Sequence, residues 1–254
     1  MPSIPRRAVQ LPPRVASLEL QSVDETIYVN LRRVSGAKRF TLRVRSATRD
    51  VVLTMPQRAS LTSAREFAER HTDWIGARVR RLPQPVKFEP GEMIPYRGAP
   101  HIIVHRPEAR GIVWTETSAL GADVTPMLCV AGGREHIARR VTDFLRREAA
   151  KRLRQAAMKH AAAIHVSIGR IGVRDTTSRW GSCTASGALS FSWRLILAPD
   201  FVLDYLAAHE VAHRIHLDHS DRFWALTRSL APHTDRAEAW LKAHGAGLHR
   251  YGAA

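Results

Sequence analysis

Residues 207–224 read AAHEVAHRIHLDHSDRFW, four histidines and one glutamate within a few turns of chain. His209-Glu210-Val211-Ala212-His213 constrains the fold more than any other segment, because its chemistry works only on a helix. A helix turns about 100° per residue, so His209 and His213 share one face, one turn apart. Two imidazoles there can converge on one Zn²⁺ at about 2.0–2.1 Å. Glu210 lies beside that face, where it can take a proton from metal-activated water instead of ligating. The amino-acid composition predicts only about 0.03 chance occurrences of this pattern in a chain of this length.

A catalytic zinc takes three protein ligands and keeps one position open. His219, His216 and Glu238 compete for third place. His216 is seven residues beyond His209, about 10.5 Å along an unbroken helix, too far for one tetrahedral ion. His219 follows a turn expected at Leu217-Asp218, which would fold it back over the metal. Ser220 would then cap the next helix, and Phe223-Trp224 would pack beneath the site. Glu238 lies on the last expected helix.

The rest of the chain alternates strand-like and helical pieces. Residues 1–22 read as a flexible basic arm, 23–132 as a β-rich region and 133–254 as a helical domain that carries the histidine motif. Period-two alternation over residues 39–45, and the run 51–55 ending at Pro56, predict antiparallel strands. Ser63 and Glu66 form a capping-box pattern for a helix bearing Ala64, Phe67, Ala68, His71, Trp74 and Ile75 on one stripe. Residues 83–130 read as hairpin-rich. A long helix then spans about 134–161, with Ile137, Val141, Phe144, Leu145 and Leu153 inward. Strand-like pieces follow at 164–168, 171–174 and 189–195, and Asp200 is a plausible cap for the histidine-bearing helix. The fold class is therefore α+β, with an antiparallel, hairpin-rich β region ahead of a helical one.

The chain carries 39 Lys/Arg against 23 Asp/Glu, a net charge of +16. Nine of those cations fall on helix 134–160 against three acids. A solvated outer face is the plain explanation, and contact with nucleic acid or an acidic partner the sharper one. No apolar run reaches the roughly 18 residues that span a bilayer, and no signal-peptide core is present, so the cytoplasm is the expected compartment. With only two cysteines, Cys129 and Cys183, a disulfide framework is not the plan.

Arg179-Trp180-Gly181-Ser182-Cys183, the segment Ser192 to Pro199, the His209–His213 motif, His219-Ser220 and Phe223-Trp224 together resemble the YgjP-like family of zinc metallopeptidases. The likeness covers roughly residues 26–246 and is densest over 174–243. It implies a zincin-like metallopeptidase domain over 133–254 with a minigluzincin-type or SprT-like core, helices packed on a small antiparallel sheet with the metal helix beside it. It also implies His209, His213 and His219 as zinc ligands and Glu210 as catalytic base. Arg179, Trp180 and His216 remain candidates for substrate contact or for support of the ligands. Cys183 reads as a packed residue rather than a fourth ligand, since a closed site would leave no place for water. The expected activity is hydrolysis of a peptide or protein substrate. Two alternatives carry different chemistry: hydrolysis of a nucleotide phosphoanhydride, and a protease acting on DNA-bound proteins.

Overall fold

Alternating apolar residues build the first sheet. In the computed structural model, which describes residues 16–21, 26–45, 48–117 and 126–252, Leu18 and Leu20 of β1 (Ser17–Gln21) point inward, as do Ile27, Val29 and Leu31 of β2 (Thr26–Val34). Most of the arm expected over 1–22 lies outside the described residues. Its segment Ser17–Gln21 is a strand, however, because the Leu-x-Leu alternation gives it a face to bury. β3 (Thr41–Val44) and β4 (Val51–Pro56) complete the sheet in the order β1-β2-β4-β3. α1 (Leu61–Glu69) and α2 (Thr72–Arg80) follow. The cap of α1 is Ser60, whose side chain accepts from Ser63 N, so the helix starts one turn before the capping box read at Ser63. Leu53, Met55, Ala64, Ala68 and Ile75, all fully buried, close this core.

The chain divides into two compact units at Leu82/Pro83. The strands of the 83–130 region belong to the second unit: β5 (Met93–Tyr96), β6 (Ala99–His105), β7 (Val113–Glu116) and β8 (Met127–Val130), ordered β5-β6-β8-β7. Ile94, Ile103, Leu128 and Val130 share one core with Ile137, Val141, Phe144, Leu145 and Leu153 of α3 (Ile137–Ala163). Every apolar residue assigned to the inward face of the long helix is buried.

The third sheet holds the site in place. It comprises β9 (Ile171–Arg174), β10 (Gly181–Cys183) and β11 (Leu189–Ser192), ordered β10-β11-β9. The expected antiparallel pattern needs correction. β2–β4, β6–β8 and β9–β11 are parallel pairs, so each sheet is mixed. In both four-stranded sheets an edge hairpin folds its second strand inward, where it meets an earlier strand running the same way. Residues 164–168 form no strand. The strand begun at Leu189 ends at Ser192 and tightens into a 3-10 turn over Trp193–Leu197, whose side chains are all buried.

Three helices complete the unit: α4 (Asp200–Ala212), α5 (Asp221–Leu230) and α6 (Thr234–Leu248). Pro199, not Asp200, caps α4, and the Asp200 carboxylate instead pairs with Arg97. Arg194, 6% exposed, fastens the end of α6. Its guanidinium grips Asp175 bidentately at 2.8 and 3.3 Å and donates to the carbonyls of Leu248 and Tyr251. A cation there satisfies carbonyls that a helix end leaves open. No helix among the described residues is long and apolar enough to cross a membrane.

Candidate metal centre

α4 is apolar almost all round: Val202, Leu203, Leu206, Ala207, Ala208, Val211 and Ala212 are buried. That burial fixes the direction in which His209 and Glu210 project. The helix stops at Ala212, with His213 as its C-cap. The chain then turns, and Asp218 Oδ1 accepts from Ser220 N at 3.2 Å, a short Asx turn that brings His219 back. One ligand atom from each of His209, His213 and His219 lies within 4.8 Å of the others. His209 Nε2 and His219 Nε2 are 3.2 Å apart.

Such a gathering of imidazoles is electrostatically sensible only if they stay neutral. Burial, then the neighbouring His213 and His219, lowers His209 to about 4. His213 is lowered as well, chiefly by burial. The rings are also oriented from behind. His213 Nδ1 donates to the carbonyl of His216 at 3.0 Å, which fixes its tautomer and leaves Nε2 free. His209 Nδ1 is 3.4 Å from the hydroxyl of Tyr205, which donates to Glu238 Oε1 at 3.1 Å. Phe223, fully buried on α5, stacks on His213 at 4.6 Å and meets His209 and His219 edge to face at 4.9 and 4.7 Å. The expected aromatic packing beneath the histidines is therefore present. Three convergent imidazoles, two of them with anchored back nitrogens, suit a divalent metal of borderline softness.

Glu210 is 4% exposed. Burial raises its carboxyl to about 7, against the opposing pull of Arg179. Its space is supplied by Gly181: a Cβ there would lie 2.8 Å from Glu210 Cδ and closer still to an oxygen. Glycine at the head of β10 is thus a steric requirement of the buried carboxyl.

Other candidates fall in different places. His216 contributes its carbonyl, and its exclusion by distance along a continuous helix does not apply, since α4 ends before it. Glu238 reaches His209 only through Tyr205. Trp180 stacks on His249 at 5.0 Å and packs on Gly245. Arg179 is exposed and forms no ion pair among the described residues. Cys183 sits on β10 with its thiol raised by burial. On helix 134–160, Arg139, Arg146, Arg152 and Lys159 pair with Asp143, Asp175, Glu148 and Asp204, leaving Arg147, Lys151 and Arg154 exposed.

Sequence reasoning missed three supports. The Tyr205–Glu238 link joins α4 to α6, and no spacing rule reveals it. The Gly181 gap was visible only as a glycine in a motif. Arg214, next to His213, donates to the carbonyls of Ser167 and Ala185 at 3.2 and 2.9 Å, bracing the turn from outside.

No curated protein and no solved structure matches the chain. The family model described as YgjP-like, metallopeptidase domain, matches residues 38–244, most of both units. With a three-histidine cluster and a buried glutamate at its centre, the chain belongs to the YgjP-like metallopeptidase family and is a hydrolase of the metallopeptidase type.

Proposed function

We propose that the protein is a zinc peptidase in which His209, His213 and His219 hold one Zn²⁺ and Glu210 is the general base. The observation that carries this reading is the convergence of three ligand nitrogens within 4.8 Å beside a buried glutamate. Three imidazoles, with no thiolate among them, match the donor set of catalytic zinc. When bound with an open position, zinc polarises a carbonyl and acidifies water.

The chain's own groups supply the rest. Glu210, held near 7 by burial, can accept a proton at its carboxylate from the attacking water and return it to the leaving amine nitrogen. Gly181 keeps that carboxylate from being displaced. Tyr205 with Glu238, and the His216 carbonyl, keep the two helix-borne rings from rotating. Among the described residues β10 is an edge strand paired only with β11, so an extended peptide can add to its other side by main-chain hydrogen bonds.

Glu210→Gln tests the assignment. Metal content by mass spectrometry should match the wild type while peptide hydrolysis falls to background; retained turnover would remove Glu210 from the role. Comparing amine release from peptides with phosphate release from nucleotides separates this reading from a phosphoanhydride hydrolase.

A further inference from the structure

The first unit carries an aromatic cleft that the peptidase reading leaves unused. Phe40, Thr41, Leu42, Phe67, His71 and Trp74 line an open space of about 240 Å³. Phe40 and Phe67 stack at 5.2 Å, and Phe67 and His71 lie 4.4 Å apart. Trp74, on the outer side of α2, is 50% exposed, although a tryptophan in a small domain normally buries most of its ring. His71 is held by a 2.7 Å hydrogen bond between its Nδ1 and the carbonyl of Phe67. The cleft is thus a half-buried stack of Phe40, Phe67 and His71 rings beside an exposed indole.

Its surroundings are cationic. Residues 1–82 contain 16 Lys/Arg against 7 Asp/Glu, a net +9 out of the chain's +16 on a third of its length. Lys38 and Arg39 directly precede Phe40, Arg70 lies over the Phe67 ring at 6.0 Å, and Arg78 stands one turn beyond Trp74. All four are exposed, and none has an acidic partner among the described residues. This contrasts with helix 134–160, where carboxylates already occupy much of the positive charge.

An exposed indole beside partly open rings, with cations that have no acidic partner among the described residues, calls for a partner with flat faces of its own and a regular run of negative charge. Single-stranded nucleic acid offers both, because its unstacked bases can lie on aromatic rings while its phosphates meet Arg and Lys. A duplex hides its base faces, and an acidic peptide offers charge with little to stack. We infer that the Phe40–Phe67–Trp74 cleft of the first unit binds single-stranded nucleic acid by base stacking, with Lys38, Arg39, Arg70 and Arg78 on the phosphates.

The test uses the full-length protein and fluorescently labelled oligonucleotides, followed by anisotropy across a salt series. Oligo-dT and oligo-U of about twenty residues should bind more tightly than a duplex of equal length. Trp74→Ala should weaken single-strand binding about tenfold or more. Trp74→Phe should retain most of the affinity, and Arg70→Gln with Arg78→Gln should flatten the salt slope by about one to two units. Circular dichroism confirms that each variant is folded. The inference fails if Trp74→Ala binds as the wild type does, or if polyglutamate or anionic vesicles bind as tightly as the oligonucleotides. It fails equally if only neutralising Arg147, Lys151 and Arg154 on α3 abolishes binding. Since the cleft lies outside the metal centre, peptide hydrolysis should be unchanged in these variants whichever result is obtained.

Discussion

The two four-stranded sheets share one plan. β1-β2-β4-β3 and β5-β6-β8-β7 have the same strand order, and each runs antiparallel, parallel, antiparallel across its pairs. Yet the first unit ends in two nine-residue helices with a core of its own, whereas the second continues into the 27-residue α3, a third sheet and the histidine-bearing α4. The same sheet thus serves two ends, and sheet topology does not make a metal centre. What makes one is a helix buried deeply enough to hold a glutamate away from water, an edge strand with a glycine facing it, and a turn that returns a third imidazole.

The sharpest way to break this contrast is His219→Ala, which removes the proposed ligand that comes from beyond the turn after α4. Bound metal should fall from about one per chain to near zero, with peptide hydrolysis lost, while hydrogen exchange in β1–β4 stays as in the wild type. Glu238→Gln should instead retain metal but weaken its affinity about 10–100-fold. Complete metal loss in Glu238→Gln would make it a ligand after all.

A core deletion in the other unit probes the reverse direction. Leu53→Ala, at a fully buried position, should cost about 2–5 kcal/mol. Hydrogen-exchange mass spectrometry should place the loss in residues 17–80, with metal content and turnover unaltered. If metal binding drops in parallel, the two units do not fold as separate cores.

Glycines offer a finer comparison. Gly181→Ala pushes a methyl into the Glu210 carboxyl and should lower kcat about 100-fold, the scale of an ångström's misplacement of a catalytic group. Gly36→Ala in the first unit meets nothing within 4 Å and should leave turnover alone. Equal effects would mean that Gly181 is not needed for space.

The smallest effect concerns acid stability of the second unit. His249 is buried, and burial, then Arg194, lowers it to about 4 from 6.5. Between those values the unfolded chain binds a proton that the folded chain refuses, so the stability this residue contributes above pH 6.5 is lost as pH falls towards 4. His249→Phe, which keeps a ring against Trp180, should recover about 1–2 kcal/mol of the loss between pH 7 and pH 5, read from denaturant midpoints. A pH dependence identical to the wild type would assign that sensitivity elsewhere.

Much of this was legible in residue order. The periodicity of α3 picked its inner face without error, because amphipathic spacing over 27 residues is a strong local signal. The histidine spacing and the turn before His219 were readable for the same reason, since helix geometry and Asx turns act over a few residues. The strand expected through residues 193–195 failed because an apolar alternation, once fully buried, does not distinguish a strand from a tight 3-10 turn. The parallel pairing within each sheet was not legible either, since strand neighbours are chosen by chain return and not by composition.

By itself, then, the sequence determined the class of the protein, the long helix and the residues able to hold a metal. These depend on local periodicity and on side-chain chemistry. The single helix expected through Ile75 is instead two, α1 and α2, with Trp74 of its inward stripe exposed. Only the tertiary structure decided that Glu238 stands behind Tyr205, that Gly181 yields its space to Glu210, and that Trp74 stays half exposed to water. Each of these joins residues through packing between elements distant in the chain or through the loss of water around them, and neither is written in the spacing of letters.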